Sequence, residues 1–186
     1  MRTALANALS LLGHPVVVMP LAAIVALRSG GESAMPILGI VLGLTTAVLI
    51  YAFVQVRSGR WRDMDASAHH ERTELNLGLA GALAAATALS WAIGVDPRVI
   101  TGLALACAII MVALLTRTRF KLSLHIAFAV YAAFVASSSI AASCAFALLA
   151  CALAWARLAL RRHDLPDVIA GALTGAVAGI ALLLIA

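Results

Sequence analysis

The stretch "LSLHIAFAVYAAFVASSSIAASCAFALLACALAWARLAL", residues 122–160, decides the fold. Its 39 residues hold no Lys, Arg, Asp or Glu before Arg157. As a single helix they would rise about 58 Å, far beyond a hydrocarbon core of about 30 Å. Two short spans, 122–138 and 141–160, joined near Ser137-Ser138-Ser139, fit the bilayer better. Working outward, five further apolar runs approach the length of a span: 4–27, 35–56, 75–95, 99–116 and 167–186. The expected fold is all-α, a polytopic membrane helical bundle of about six to seven transmembrane helices. The first run contains Pro15 and Pro20, and membrane helices tolerate proline with a kink. It is too long for the apolar core of a signal peptide and reads as a retained helix.

Composition agrees. The chain has 186 residues, of which 64% are hydrophobic and 11% charged, whereas soluble domains sit near one half and one quarter. Residues 1–186 therefore read as a single membrane-embedded domain with no soluble domain. The net charge of +5 sits in loops beside apolar runs, which points to anionic headgroups and topology, not to nucleic acid. With seven spans, all thirteen Lys and Arg residues except Arg28 and Arg98 fall on the amino-terminal side. The positive-inside rule makes that side cytoplasmic. A bacterial inner membrane is the expected location. Cys107, Cys144 and Cys151 lie in apolar runs without a C-x-x-C pair, and read as small buried residues outside any disulfide framework. Gly171, Gly175 and Gly179 line one face of the last span, and Gly39 and Gly43 one face of the second. Both stripes suit close helix packing within one bundle. His14 in "LLGHPVVV" is expected on the opposite side from the polar loops, as a buried, hydrogen-bonded histidine without a second metal ligand in view.

Three polar patches share the amino-terminal side. The first, "RSGRWRDMDASAHHERTELN" (57–76), contains a segment, 63–72, that could form a short surface helix from Asp63 to Arg72, with Trp61 as an interfacial anchor. The second, "RTRFKLSLH" (117–125), places Lys121 and His125 four apart on one helix face, with Ser123 between them. Free N–H groups at that helix start favour an anion. The third, "WARLALRRHDLPD" (155–167), carries Arg157, His163 and Asp167. The four-residue spacing lets Asp167 accept a hydrogen bond from one imidazole nitrogen of His163 and leave the other aimed elsewhere, as for an oriented base or nucleophile. Pro166 suits a helix's first turn, Asp164 a cap, and Arg161 and Arg162 snorkel to headgroups. Two histidines, a carboxylate and several cations on one side suit phosphoryl transfer.

These patches resemble the three motifs of the type 2 phosphatidic acid phosphatase superfamily of membrane lipid phosphatases: K-x6-R-P, P-S-G-H and S-R-x5-H-x3-D. In "ARLALRRHDLPD", Arg157, His163 and Asp167 fall in register and Ala156 replaces the motif's Ser. In "KLSLH", Ser123 and His125 match, while Leu122 and Leu124 replace Pro and Gly. In the first motif Arg72 matches, with Asp65 at the Lys position and Thr73 at the Pro position. The pattern is similar to a divergent branch with D-x-D…R and K-x-S-x-H motifs. The resemblance covers Arg57 to Gly175. It implies a lipid phosphate monoester or polyprenyl (di)phosphate as substrate, membrane lipids as surroundings, and no cofactor or metal. It further implies His163 as nucleophile, Asp167 as its orienting carboxylate and His125 as proton donor. Arg72, Lys121, Ser123 and Arg157 would bind phosphate, Lys121 supplying the cation absent from the first motif.

Two other readings bear on the same residues. The altered first and second motifs suit a catalytically degenerate protein that binds lipid phosphates. Asp63-Met64-Asp65 could hold Mg²⁺ on a diphosphate in a prenyl transferase, but a single acidic pair among basic residues makes this the weakest of the three.

Overall fold

A computed structural model describes residues 2–28, 34–64, 66, 68–119 and 121–185. Among them are eight helices and no strand: α1 (Arg2–Leu12), α2 (Pro15–Arg28), α3 (Ala34–Arg57), α4 (His69–Ala92), α5 (Pro97–Thr116), α6 (Leu124–Val135), α7 (Ile140–Ala159) and α8 (Leu165–Ile185). The protein is a helical bundle. Five helices, α3, α4, α5, α7 and α8, are long and apolar enough to cross a membrane, and a sixth crossing arises if α1 and α2 form one broken span.

The first expected span is two helices meeting at a 51° bend. The cause is local. Proline disfavours helical backbone in the residue before it and lacks an N–H to continue the ladder, so His14 leaves the helix and Pro15 opens the next. His14 then caps α2: its Nδ1 accepts from Val16 N at 3.2 Å, and its carbonyl accepts from Val17 N and Val18 N at 2.8 and 3.0 Å. Gly13 allows the close approach of α1 to α7, since a Cβ there would lie 2.4 Å from the Leu153 side chain.

The 122–160 stretch does divide in two, but its first half is only twelve residues of helix, about 18 Å long. α6 ends at Val135 with Ala136 as its C-cap, and Ser139 caps α7 through a 3.3 Å bond from Ala142 N. A helix this short does not span a bilayer alone. It is instead the core of the bundle, packed against α2, α5, α7 and α8, with Ile126, Ala127, Ala129, Tyr131 and Ala132 almost wholly buried. Tyr131 satisfies its hydroxyl by donating to Gly102 O on α5 at 2.9 Å.

The glycine stripe of α8 makes that packing possible. A Cβ at Gly171 would lie 2.6 Å from Ser123 O, at Gly175 2.2 Å from Ala127 O, and at Gly179 2.2 Å from the Phe134 ring. α8 thus rests backbone to backbone on α6, within one bundle as its spacing suggests. The second stripe behaves differently: a Cβ at Gly39 or Gly43 meets nothing within 4 Å, so those glycines do not serve close packing. The cysteines also depart from expectation. Cys144 and Cys151 are exposed on α7, and only Cys107 is partly buried, donating to Ala80 O.

Among the described residues of the 57–76 loop, 63, 64, 66 and 68 are not helical; α4 starts earlier than expected, at His69, and takes Arg72 into its first turn. Glu71 fixes that start. Its carboxylate accepts from Ala68 N at 3.1 Å, capping α4, and from Arg62 N at 2.8 Å, pinning the loop. Trp61 is not an interfacial anchor but is 3% exposed, edge-on to Tyr51 and donating to Glu74 at 3.1 Å. Asp65 lies outside the described residues.

Candidate active site

The polar ends of three helices and two inter-helix segments meet at one cavity. Arg72 comes from the first turn of α4, Lys121 from the segment after α5, His125 from the first turn of α6, Arg157 from the last turn of α7, and His163 from the α7–α8 turn. All five line a cavity of about 730 Å³ whose remaining wall is mostly aliphatic. α4, α6 and α8 run away from this polar end, while α5 and α7 run toward it, so the alternation of direction expected from sequence holds although α6 is short.

Asp167 builds the floor of the site through main chain. Its Oδ1 accepts from Lys121 N at 2.9 Å, its Oδ2 accepts from Asp164 N at 3.3 Å, and its carbonyl accepts from Ser123 N at 3.2 Å. The 121–123 segment is thereby clamped to the start of α8. The clamp delivers the Lys121 carbonyl to His163, whose Nδ1 lies 2.8 Å from it and 3.5 Å from Asp167 Oδ2. The sequence spacing suggested Asp167 as the acceptor; the nearer acceptor is the Lys121 carbonyl. A carbonyl can only accept, so Nδ1 carries the proton and Nε2 bears the lone pair. Asp167 orients His163 chiefly by holding that carbonyl in place.

His163 is enclosed, its side chain 8% exposed. Burial first, then the Arg157 and Lys121 charges, push its pKa down to about 4, against the opposing pull of Asp167 and the Lys121 carbonyl. His163 is therefore an uncharged imidazole at neutral pH. The Lys121 ammonium is itself lowered, first by burial and then by Arg72, with Arg157 and Arg162 adding to it. Lys121 shares the cavity wall with Arg72 and Arg157. Lys121 Nζ donates to Arg162 O at 2.8 Å, which ties it to the α7–α8 turn.

That turn closes as a Schellman motif, with Arg162 N bonding Arg157 O at 3.1 Å and Arg161 N bonding Leu158 O at 3.0 Å. Arg161 occupies the left-handed position usually given to glycine, at φ 51°.

His125 is buried, and Arg157 Nη2 lies within hydrogen-bond reach of both its ring nitrogens. Arginine has no acceptor, so the ring accepts and is uncharged in this arrangement. Arg157 Nη1 donates to Ser10 on α1 at 3.0 Å. Arg72 Nη1 is buried and has no hydrogen-bond partner among the described residues. A buried cationic donor left unsatisfied on a cavity wall is costly unless an anion completes it.

Not every expected residue reaches the cavity. Ser123 is fully buried at the α6–α8 contact, off the cavity wall, and its Oγ has no partner among the described residues. Asp167 also lies off the wall. Two residues beyond the three polar patches join the site. Ser10 holds Arg157, and the His14 ring stands perpendicular to His125 with centroids 4.9 Å apart. His14 thus lies beside the polar cluster, not on the opposite side of the bundle as a straight first helix would place it. Gly13-His14-Pro15 was the available signal: it marks a break that turns His14 inward. Compared with known proteins, the chain matches no family model, no curated protein and no solved structure.

Proposed function

We propose that the protein is a membrane lipid phosphatase or diphosphatase that works through a phosphohistidine, as a divergent relative of the type 2 phosphatidic acid phosphatases. One observation carries this reading: Arg72, Lys121 and Arg157 share a cavity wall with His163, whose Nδ1–H is tied to the Lys121 carbonyl so that Nε2 holds the lone pair. The three cations would take the phosphoryl oxygens, and the unsatisfied Arg72 Nη1 would gain an acceptor. The aliphatic wall suits a lipid tail.

In the first step His163 Nε2 attacks phosphorus, a P–N bond forms and the P–O bond to the lipid breaks. His125 gives its proton to the leaving oxygen. The incoming anion draws Arg157 to itself and releases the His125 ring, which takes that proton beforehand from the monoprotonated phosphate as it binds. In the second step water attacks phosphorus, the P–N bond breaks, His125 receives the proton from water, and inorganic phosphate leaves. A lipid phosphate monoester or a polyprenyl (di)phosphate fits this chemistry, at the cytoplasmic face of a bacterial inner membrane.

The test is phosphate release by purified protein in lipid micelles from phosphatidic acid, polyprenyl phosphate and polyprenyl diphosphate, with EDTA present. Wild type should turn over at least one of them, His163→Ala should be inactive, and His125→Ala should lose about 10²–10⁴-fold in kcat. Equal rates for wild type and His163→Ala would overturn the nucleophile. Binding of these lipids without release from any of them would favour the reading as a degenerate lipid-phosphate binder, which the direct Arg157–His125 contact and Ala156 both suit.

A further inference from the structure

We infer that the broken amino-terminal helix belongs to the reacting site, with Ser10 and His14 as positioning residues for Arg157 and His125. The inference rests on the phosphatase reading for its kinetic consequences and on geometry for everything else. None of the three polar patches contains either residue, and both are brought in by the break at Gly13-His14.

Arg157 is a fork with its two terminal nitrogens engaged by different elements. Nη1 donates to Ser10 Oγ on α1, 147 residues away in sequence, and Nη2 meets the His125 ring on α6. Ser10 is 3% exposed, so this bond forms away from competing water. Fixing Nη1 fixes the plane of the whole guanidinium, and with it the direction in which Arg157 presents Nη2. Ala156 lacks the hydroxyl that precedes arginine in the third motif. Ser10 brings a hydroxyl to the same arginine from another helix.

His14 acts on the second partner. Capping α2 occupies its Nδ1 with the Val16 N–H, so its Nε2 carries the proton and its ring cannot turn without uncapping the helix. That fixed ring stands at 90° to the His125 ring and also lines the cavity. His125 is thus touched by two rigidly mounted groups, the Arg157 guanidinium and the His14 ring. A displacement of about 1 Å in such a constellation costs about 100-fold in rate.

Four variants separate positioning from mere structure. Ser10→Ala removes the hydroxyl and Ser10→Thr retains it. His14→Asn keeps a capping acceptor for α2 but removes the ring, and His14→Ala removes both. The first readout is ¹⁵N-histidine NMR of the full-length protein in micelles, with the His125 signal assigned by its loss in His125→Gln. Ser10→Ala and His14→Asn should move the His125 ring signals while those of His69 and His70 stay put, and Ser10→Thr should restore them. The second readout is kinetic. Ser10→Ala should lower kcat/KM about tenfold or more, rescued by Ser10→Thr, and His14→Asn should lower kcat more than it changes KM. His125 signals superimposable on wild type in both Ser10→Ala and His14→Asn would overturn the inference, whatever the activity. Wild-type protein that hydrolyses no lipid phosphate would instead remove the phosphatase reading, and the NMR result would still decide the roles of Ser10 and His14.

Discussion

Replacing Gly175 with alanine should damage this protein, whereas the same change at Gly81 should strengthen it. Both glycines lie inside long helices, α8 and α4, where alanine is favoured over glycine by about 1 kcal/mol. Their surroundings differ. A Cβ at Gly81 meets nothing within 4 Å, so the propensity gain stands alone. A Cβ at Gly175 would lie 2.2 Å from Ala127 O, 3.0 Å from Ala127 C and 3.1 Å from Ala127 Cα, all backbone atoms that no rotamer change can move. A relaxed carbon–oxygen contact needs about 3.3–3.6 Å, so α8 must back away from α6 by about 1 Å. Overpacking of this kind costs about 1–3 kcal/mol. Gly175→Ala should therefore come out about 0–2 kcal/mol less stable than wild type, and Gly81→Ala up to about 1 kcal/mol more stable. The shift also separates His125 on α6 from the Asp167 clamp on α8, so phosphate release should fall about 100-fold. Reversible unfolding in mixed micelles of increasing SDS fraction measures the first effect. If Gly175→Ala equals or exceeds Gly81→Ala in stability, the backbone contact between α6 and α8 is not as described.

Three further outcomes follow from the α7–α8 turn. His163 has its pKa lowered from 6.5 to about 4, so the acid limb of kcat/KM should fall near pH 4, and Lys121→Met, which removes one of the depressing charges, should move that limb toward neutrality. The unfolded chain binds the extra proton between these values, so the His163 contribution to stability is full above about pH 6.5 and is lost as pH falls toward 4; unfolding midpoints across that range check the sign. Arg161→Gly removes a side chain from a left-handed position at φ 51°, where a non-glycine residue costs about 1–2 kcal/mol. It should raise stability by up to about 1 kcal/mol after the entropy of glycine in the unfolded chain is counted, and a lowered unfolding midpoint would contradict the Schellman geometry.

Sequence by itself determined the class of the protein and named most of the side chains that line the candidate site. Hydrophobic runs report helices directly, because a bilayer forces backbone polar groups to be satisfied within each segment. The four-residue spacing of His163 and Asp167 and the polar helix ends that carry Arg72, His125 and Arg157 were legible for the same reason: each is a local property of one stretch of chain. Tertiary structure decided the rest. Length and hydropathy cannot tell a lipid-facing span from a core helix, so α6 read like the other spans although it is the short, buried centre against which α8 packs. A four-residue spacing offers Asp167 to His163, but only the fold brings in the Lys121 carbonyl, 42 positions away, as the closer acceptor. Ser123 has the residue type of a phosphate ligand, yet the close α6–α8 contact turns it away from the cavity. Ser10 and His14 carry no motif, and their place beside Arg157 and His125 comes from a helix break that proline sets locally and from packing that joins the two ends of the chain. Spacing within one helix is written in the sequence, whereas contact between helices depends on which backbones can approach, and that is settled only when the bundle is assembled.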